Sequence, residues 1–144
     1  MSYSATQAWR SYKQVATKTA APGQLVLMLF DGAIRFLDRA LTGFAMDDPA
    51  DANSTISNNI LRAQDIVYEL NVSLNLELGG ELASTLRALY HFMDGQLTQS
   101  NLRKERQGID DVLKRLTVLR EAWATMLSGE VGRENGALPA LAAA

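Results

Sequence analysis

His91, the only histidine in the 144-residue sequence, is the residue best suited to carry acid–base or covalent chemistry. There is no cysteine, so the chain has neither a thiol nucleophile nor a thiolate metal ligand. Four-helix bundles that relay phosphoryl groups through one exposed histidine carry a pattern that resembles His-x-x-Lys-Gly. Gly95 fits that pattern, but Asp94 stands at the lysine position, where its carboxylate would repel a phosphoryl group. Histidine phosphotransfer through His91 therefore remains the alternative function, and a partly exposed, hydrogen-bonded histidine is the simpler interpretation.

Other catalytic and metal-binding patterns are missing from the sequence. A di-iron helical bundle needs a glutamate three residues before a histidine, and that position is Ala88. There is no glycine-rich phosphate-binding loop and no pair of histidines at helical spacing. We therefore predict no catalytic residue, no metal, no cofactor and no enzymatic activity.

Composition and charge restrict the fold and the partners. The length fits one domain, and a 47% hydrophobic fraction dominated by leucine and alanine favours helices. The net charge of −2 lacks the basic excess of a nucleic-acid-binding domain, so no nucleic acid partner is predicted. The longest apolar run, residues 25–30, is too short to insert into a membrane, and the N-terminus does not resemble a secretory signal. We predict a cytoplasmic protein.

Hydrophobic periodicity predicts four helices. The first spans residues 22–44 and begins at Pro22. The second begins after the turn at residues 47–49 and ends at Gly79-Gly80, because glycine accepts the left-handed conformation that closes a helix. The third ends near residues 99–101, and the fourth spans residues 105–128.

Short connections between these helices make neighbours antiparallel, so the predicted fold is all-α, an antiparallel up-down four-helix bundle. The bundle is expected to span residues 21–128. Residues 1–20 are interpreted as a mobile N-terminal arm, and residues 129–144 as a flexible or loosely docked C-terminal tail. On the first helix, Asp31 and Arg35 are predicted to form a surface ion pair at i,i+4 spacing.

The first helix is more apolar than a bundle requires. Residues 25–30 cover every direction around the helix axis, whereas a bundle core uses a stripe of roughly 100°. The excess could be covered by a homodimer partner, by a client chain or by the N-terminal arm. Gly32 lies in the same helix, where it costs about 1 kcal/mol relative to alanine. It indicates either close approach of another backbone or ring, or a small residue between tightly packed helices.

The arm carries two large rings that could cover such a surface. Trp9 and Tyr12 are three residues apart, so one helical turn would place both on one face. We interpret them as a displaceable cap, and the alternative is a disordered arm.

Four ordered motifs resemble those of the flagellar secretion chaperones that bind flagellin. Residues 19–34, TAAPGQLVLMLFDGAI, are close to the family signature T-A-[SA]-P-x-x-L-x-x-M-L-Y-D-G-A-I. Residues 69–75, ELNVSLN, match E-L-x-x-S-L-N. The other two motifs are Leu89-Tyr90 followed by Leu97 and Asn101, and the sequence LREAW at residues 119–123. The chain departs from the family at Phe30 and Trp9, where tyrosine is usual, and at Thr17, where valine is frequent.

The resemblance implies a function by binding. Such chaperones bind the C-terminal segment of flagellin in the cytoplasm, block its premature polymerisation and help to present it to the flagellar export machinery. In the family the arm covers part of the client groove and yields to the client. An amphipathic client segment could lay its apolar anchors into grooves between helices.

The predicted partner-binding residues lie on the first two predicted helices. They comprise apolar side chains, one glycine and two asparagines that could contact client backbone: Leu25, Met28, Leu29, Gly32, Ile60, Val67, Asn71, Leu74 and Asn75. The sequence leaves open which of the apolar residues face the client rather than the core.

Overall fold

The computed structural model describes residues 22–74 and 76–133. This part of the chain forms four helices and no strand: α1 (Pro22–Thr42), α2 (Pro49–Val72), α3 (Leu76–Arg103) and α4 (Gln107–Arg133), with a 3₁₀ turn at Gly43–Ala45. Helices α1 and α3 each pack against both α2 and α4. The predicted all-α four-helix bundle is confirmed. The predicted arm lies outside the described residues, whereas residues 129–133, assigned to the tail, continue α4.

The core is apolar and receives side chains from all four helices. Its largest fully buried members are Leu37, Ile60, Ile66, Met93, Leu97, Ile109, Val112 and Leu116. Trp123 lies at the edge of this core and its indole Nε1 donates a hydrogen bond to the carbonyl oxygen of Gly23, at 2.8 Å. This contact fixes the start of α1 on α4, since the partners are 100 residues apart in the chain.

Small residues close the interface between α1 and α2. A Cβ atom added to Gly32 would lie 3.1 Å from Cδ1 of Ile66. One added to Gly43 would lie 2.7 Å from Cγ1 of Ile56 and 3.1 Å from the carbonyl oxygen of Ala52. The structure therefore supports the interpretation of Gly32 as a small residue between tightly packed helices.

The two ends of α2 compare differently with the prediction. Its start is as expected, since Asp48 accepts a hydrogen bond from the backbone N–H of Asp51 at 2.9 Å and Pro49 opens the first turn. The predicted end at Gly79-Gly80 is wrong, because α2 ends at Val72. The hydroxyl of Ser73 donates to the carbonyl of Leu70 at 2.9 Å and so satisfies one terminal acceptor.

Gly80 does have a positive φ, with φ 54° and ψ −125°, a backbone that glycine adopts readily, but it forms a kink inside α3 and does not close α2. The third helix therefore starts four residues before this glycine, at Leu76. The sequence identified the unusual backbone correctly and assigned it to the wrong helix.

A lysine ends α3. The predicted break near residues 99–101 is wrong, because the helix continues to Arg103 and Lys104 takes the left-handed conformation, with φ 53°. The N–H of Glu105 donates to the carbonyl of Ser100 at 3.1 Å, as in a Schellman motif. This conformation costs a non-glycine residue about 1–2 kcal/mol. The Lys104 ammonium group offsets that cost by donating to Ser57 Oγ at 3.0 Å and to the carbonyl and Oδ1 of Asn101, both at 2.8 Å.

Candidate functional site

Five of the predicted partner-binding residues lie inside the bundle. Leu29, Ile60, Val67 and Leu74 belong to the core cluster, and Gly32 is buried against Ile66. The apolar surplus of the first helix is largely explained by core packing too, because residues 26, 27, 29 and 30 are in the core or pack against it. Leu29, Ile60, Val67 and Leu74 help to hold the helices together, and contact of these five residues with a partner stays a prediction.

The remaining predicted residues have a different placement. Leu25 and Met28 are half-buried and stand outside the core cluster. Asn71 is half-buried near the end of α2. Asn75, Trp9 and Tyr12 lie outside the described residues.

Helix α2 carries an exposed apolar row that the sequence interpretation missed. Leu61, Tyr68 and Val72 are exposed by 53%, 66% and 57%. Their spacing of seven and four residues places them on one side of the helix, turned away from the buried stripe. These three residues could have been recognised in the sequence, because they are out of phase with the buried stripe of the same helix. That stripe includes Ile56, Ile60 and Val67.

Helix α3, the neighbour of α2, also carries exposed apolar residues. Phe92 and Leu102 are exposed, and Gly95 lies between them at helical spacing. A Cβ atom added to Gly95 would meet nothing within 4 Å, so no packing contact explains a glycine at this position. We refer to Leu61, Tyr68, Val72, Phe92, Gly95 and Leu102 together as the α2–α3 face. Phe92 lies at its edge next to α4, with the guanidinium carbon of Arg115 4.7 Å from its ring centroid.

Hydrogen bonds hold the two helices of this face in register. Gln64 Nε2 donates to Oδ1 of Asp94 and to Oγ1 of Thr98, both at 3.0 Å. Further along, the Lys104 ammonium group connects Ser57 of α2 to the end of α3. His91 is exposed on α3. Asp94, whose carboxylate is the sequence argument against phosphotransfer, lies about one helical turn from it.

Two buried polar atoms near the same interface have no hydrogen-bond partner within the described part of the chain. They are Oδ1 of Asn71 and Nε of Arg87. Because Gln64 pairs with Asp94 in antiparallel helices, position 71 lies about opposite position 87. Leaving such an atom unpaired costs about 1–3 kcal/mol. This end of the interface therefore offers one acceptor and one donor that the bundle does not use.

The charged pair of the first helix is not the predicted one. Asp31 Oδ1 lies 2.8 Å from Arg120 Nε, so it pairs with α4 instead of Arg35. The hydrogen bond to Asp31 and its negative charge raise the pKa of Arg120, which stays protonated. The pair joins α1 to α4 on a side of the bundle that does not include α2 or α3.

Residues 22–74 and 76–133 contain neither a membrane-spanning helix nor a cluster of metal-binding side chains. None of the helices there is long and apolar enough to cross a membrane. No group of three or more histidine, cysteine, aspartate or glutamate side chains in this part could hold a metal ion.

Comparison with known proteins identifies the family of this sequence. The sequence matches the family described as Flagellar protein FliS over residues 5–130. It is 31% identical over 128 residues to the flagellar secretion chaperone FliS of Bacillus subtilis, with 89% of this chain and 92% of the relative covered. The FliS of Salmonella typhimurium is 37% identical over 118 residues, with 79% and 85% covered, and that of Escherichia coli is 33% identical over 128 residues, with 85% and 91% covered. Since the match spans most of the chain and of each relative, the chain belongs to the FliS family of flagellar proteins.

Proposed function

We propose that this chain is a cytoplasmic export chaperone for flagellin. It binds the C-terminal segment of the flagellin subunit, prevents early polymerisation and presents the subunit to the flagellar export machinery. The name that the relatives carry, flagellar secretion chaperone, supports this role.

The observation that carries the proposal is the α2–α3 face. Five large apolar side chains and an open glycine lie on two adjacent helices that hydrogen bonds keep in register. A single exposed apolar residue needs no explanation, whereas several on two adjacent helices favour an interaction site. An amphipathic helix of the client can place its apolar side chains along such a face, and Gly95 lets its backbone come close.

Binding on this face requires no covalent chemistry. A client segment that is disordered when free loses conformational entropy on binding, so its affinity depends on the apolar area that it buries. Release then needs only a competing interaction at the export machinery. This fits a carrier that must let go of its cargo.

The other predicted contact residues enter the proposal in two roles. Leu25, Met28, Asn71 and Asn75 would extend the client surface, with the two asparagines contacting client backbone. The five buried residues, Leu29, Gly32, Ile60, Val67 and Leu74, would support that surface from within the bundle. Trp9 and Tyr12 remain a predicted cap. Deletion of residues 1–18 tests this prediction, and it should tighten client binding.

Calorimetric titration of the full-length protein with the C-terminal segment of its cognate flagellin tests the proposal. We expect micromolar or tighter affinity. Tyr68→Glu and Phe92→Glu should each weaken binding about tenfold, because a carboxylate tolerated in water must be desolvated in the complex. Absence of binding by the unchanged protein at micromolar concentration would contradict the proposed function.

Helix α4 offers a matched control. Val118 is 67% exposed, about as much as Tyr68, but lies outside the α2–α3 face. Val118→Glu should change the affinity by less than about twofold. Equal weakening by all three variants would remove the α2–α3 face from the proposal while leaving flagellin binding in place. Light scattering of the same samples distinguishes a complex with flagellin from a homodimer.

A further inference from the structure

Two arginines share one aromatic ring on the side of the bundle formed by α1 and α2. The guanidinium carbon of Arg39 lies 5.6 Å from the ring centroid of Phe36, and that of Arg62 lies 5.8 Å from it. Both arginines are exposed, whereas Phe36 is half-buried and packs against the core. We call Phe36, Arg39 and Arg62 the arginine–phenylalanine cluster. The ring is thus a fixed support for two cations on different helices.

Neither Arg39 nor Arg62 forms an ion pair with a carboxylate in the described part of the chain. The other arginine stacked on a phenylalanine behaves differently: Arg115 lies 4.7 Å from the Phe92 centroid, and its Nε donates to Asp111 Oδ2 at 3.0 Å. The two sites therefore have the same stacking chemistry, but only one of them has its own carboxylate.

We propose that the arginine–phenylalanine cluster is a docking site for an acidic segment of a second protein partner. Guanidinium groups bind carboxylates through paired N–H donors, and stacking restricts their orientation before binding. Arginine and phenylalanine are also enriched at protein interfaces. A glutamate or aspartate side chain placed between Arg39 and Arg62 would supply the charge that the cluster lacks.

A peptide carboxylate fits the cluster better than a membrane surface does. Recognition of anionic lipids usually uses clusters of about four to eight basic residues. Here two arginines stand over one ring, and the chain as a whole carries a net charge of −2. The cluster lies between α1 and α2, while the α2–α3 face uses the outer side of α2 and α3, so the proposal does not depend on flagellin binding.

Fluorescence anisotropy with a labelled glutamate–alanine peptide tests the site on the full-length protein. We expect the peptide to bind, and the double variant Arg39→Gln/Arg62→Gln to weaken binding about tenfold. Raising the salt concentration from about 0.05 M to about 0.3 M should weaken binding to the unchanged protein much more than to the variant. Arg115→Gln is the matched control, and it should change the affinity by less than about twofold.

Three results would overturn the proposal. They are an unchanged affinity for a glutamine–alanine peptide of the same length, equal weakening by Arg115→Gln, and binding of phosphatidylserine vesicles that the double variant abolishes while peptide binding is unaffected.

Circular dichroism checks that the double variant folds, and Phe36→Leu keeps an apolar side chain in place of the ring. This second variant should also weaken peptide binding, because both guanidinium groups lose their support. Flagellin titration of the double variant should give the unchanged affinity, which separates this site from the proposed client surface.

Discussion

Against α1, helix α2 packs through small residues, with Gly32 facing Ile66 and Gly43 facing Ile56. Against α3, the same helix is held by hydrogen bonds from Gln64 and from the Lys104 ammonium group. Close packing at the first interface depends on the small volume of the two glycines. The second interface depends in addition on the geometry of these hydrogen bonds. Both are formed by one helix, so each can be altered while the other serves as the reference.

The difference bears on where a partner can bind. At the α1–α2 interface the apolar side chains are buried in the core. Arg39 and Arg62, which form no ion pair in the described part of the chain, lie on its surface. At the α2–α3 interface polar side chains do part of the joining, and apolar side chains remain exposed on both helices. The bundle thus presents two exposed arginines on one side of α2 and exposed apolar side chains on the other.

The largest effect is expected from added volume at the α1–α2 interface. Gly43→Ala places a methyl group 2.7 Å from Cγ1 of Ile56 and 3.1 Å from the carbonyl of Ala52, so the helices must shift. Overpacking of this kind lowers the free energy of unfolding by about 1–3 kcal/mol. Urea denaturation of the full-length protein measures the change.

Gly95→Ala is the matched control on the α2–α3 face. Its methyl group meets nothing within 4 Å, and alanine is the better helix former, so stability should rise by about 0.5–1 kcal/mol. Opposite signs for the two variants support the contrast between the interfaces. A Gly43→Ala protein as stable as the unchanged one would contradict close packing between α1 and α2.

The next effect concerns the Lys104 ammonium group. Lys104→Met keeps the apolar stem and the left-handed backbone but loses the donors to Ser57 and Asn101, so stability should fall by about 1–2 kcal/mol. Lys104→Gly loses the same donors and also the cost of the left-handed conformation, and should be about 1 kcal/mol less damaging. A glycine variant that is the less stable of the two would show that the left-handed backbone at position 104 carries no strain. A Lys104→Met protein as stable as the unchanged one would show that the hydrogen bonds of the ammonium group do not stabilise the fold.

Local signals explain which parts of the fold could be predicted. The start of α2 was predictable because Asp48 and Pro49 act on the residues that follow them directly. The end of α3 was not, because a lysine adopts a left-handed conformation there only with the help of Ser57, 47 residues away. Periodicity gives the buried stripe of each helix, but long-range contacts decide where a helix stops.

The candidate site shows the same limit. The apolar run at residues 25–30 attracted the prediction because it exceeds one stripe, yet Leu29 and Phe30 are in the core. The sequence shows the exposed row on α2 only as a leucine, a tyrosine and a valine that are out of phase with the buried stripe. Which phase faces outward depends on how α1 and α3 flank α2, and this is tertiary information.

Two tyrosines allow a test of burial beside the α2–α3 interface. Burial raises the pKa of Tyr90, so its phenol stays protonated in the folded protein at a pH where the unfolded chain, with a pKa of about 10, releases the proton. The contribution of this group is therefore constant below about pH 9 and falls above about pH 10, by up to about 1.4 kcal/mol per pH unit. Tyr90→Phe should remove this part of the alkaline loss, about 1 kcal/mol at pH 11.

Chemical denaturation between about pH 8 and pH 11 measures the effect as a difference in slope. Tyr68→Phe makes the same change at a side chain that is 66% exposed. It is the control for the effect of removing a phenol that is already in contact with water in the folded protein. If Tyr90→Phe and the unchanged protein lose stability in parallel, Tyr90 does not contribute to alkaline unfolding.

The smallest effect is expected at the hydrogen bonds of Gln64, which are solvent-exposed. Gln64→Glu has nearly the same shape, but it loses the donor to Thr98 and places a second carboxylate beside Asp94, so stability at neutral pH should fall by about 0.5 kcal/mol. The introduced carboxylate and the Asp94 carboxylate repel each other, and salt screens this repulsion, so part of the loss should be regained at about 1 M salt. Gln64→Ala loses the same hydrogen bonds without the repulsion, and its deficit should not depend on the salt concentration. A loss in the Gln64→Glu protein that is constant with salt concentration would mean that Gln64 and Asp94 are not adjacent across the α2–α3 interface in solution.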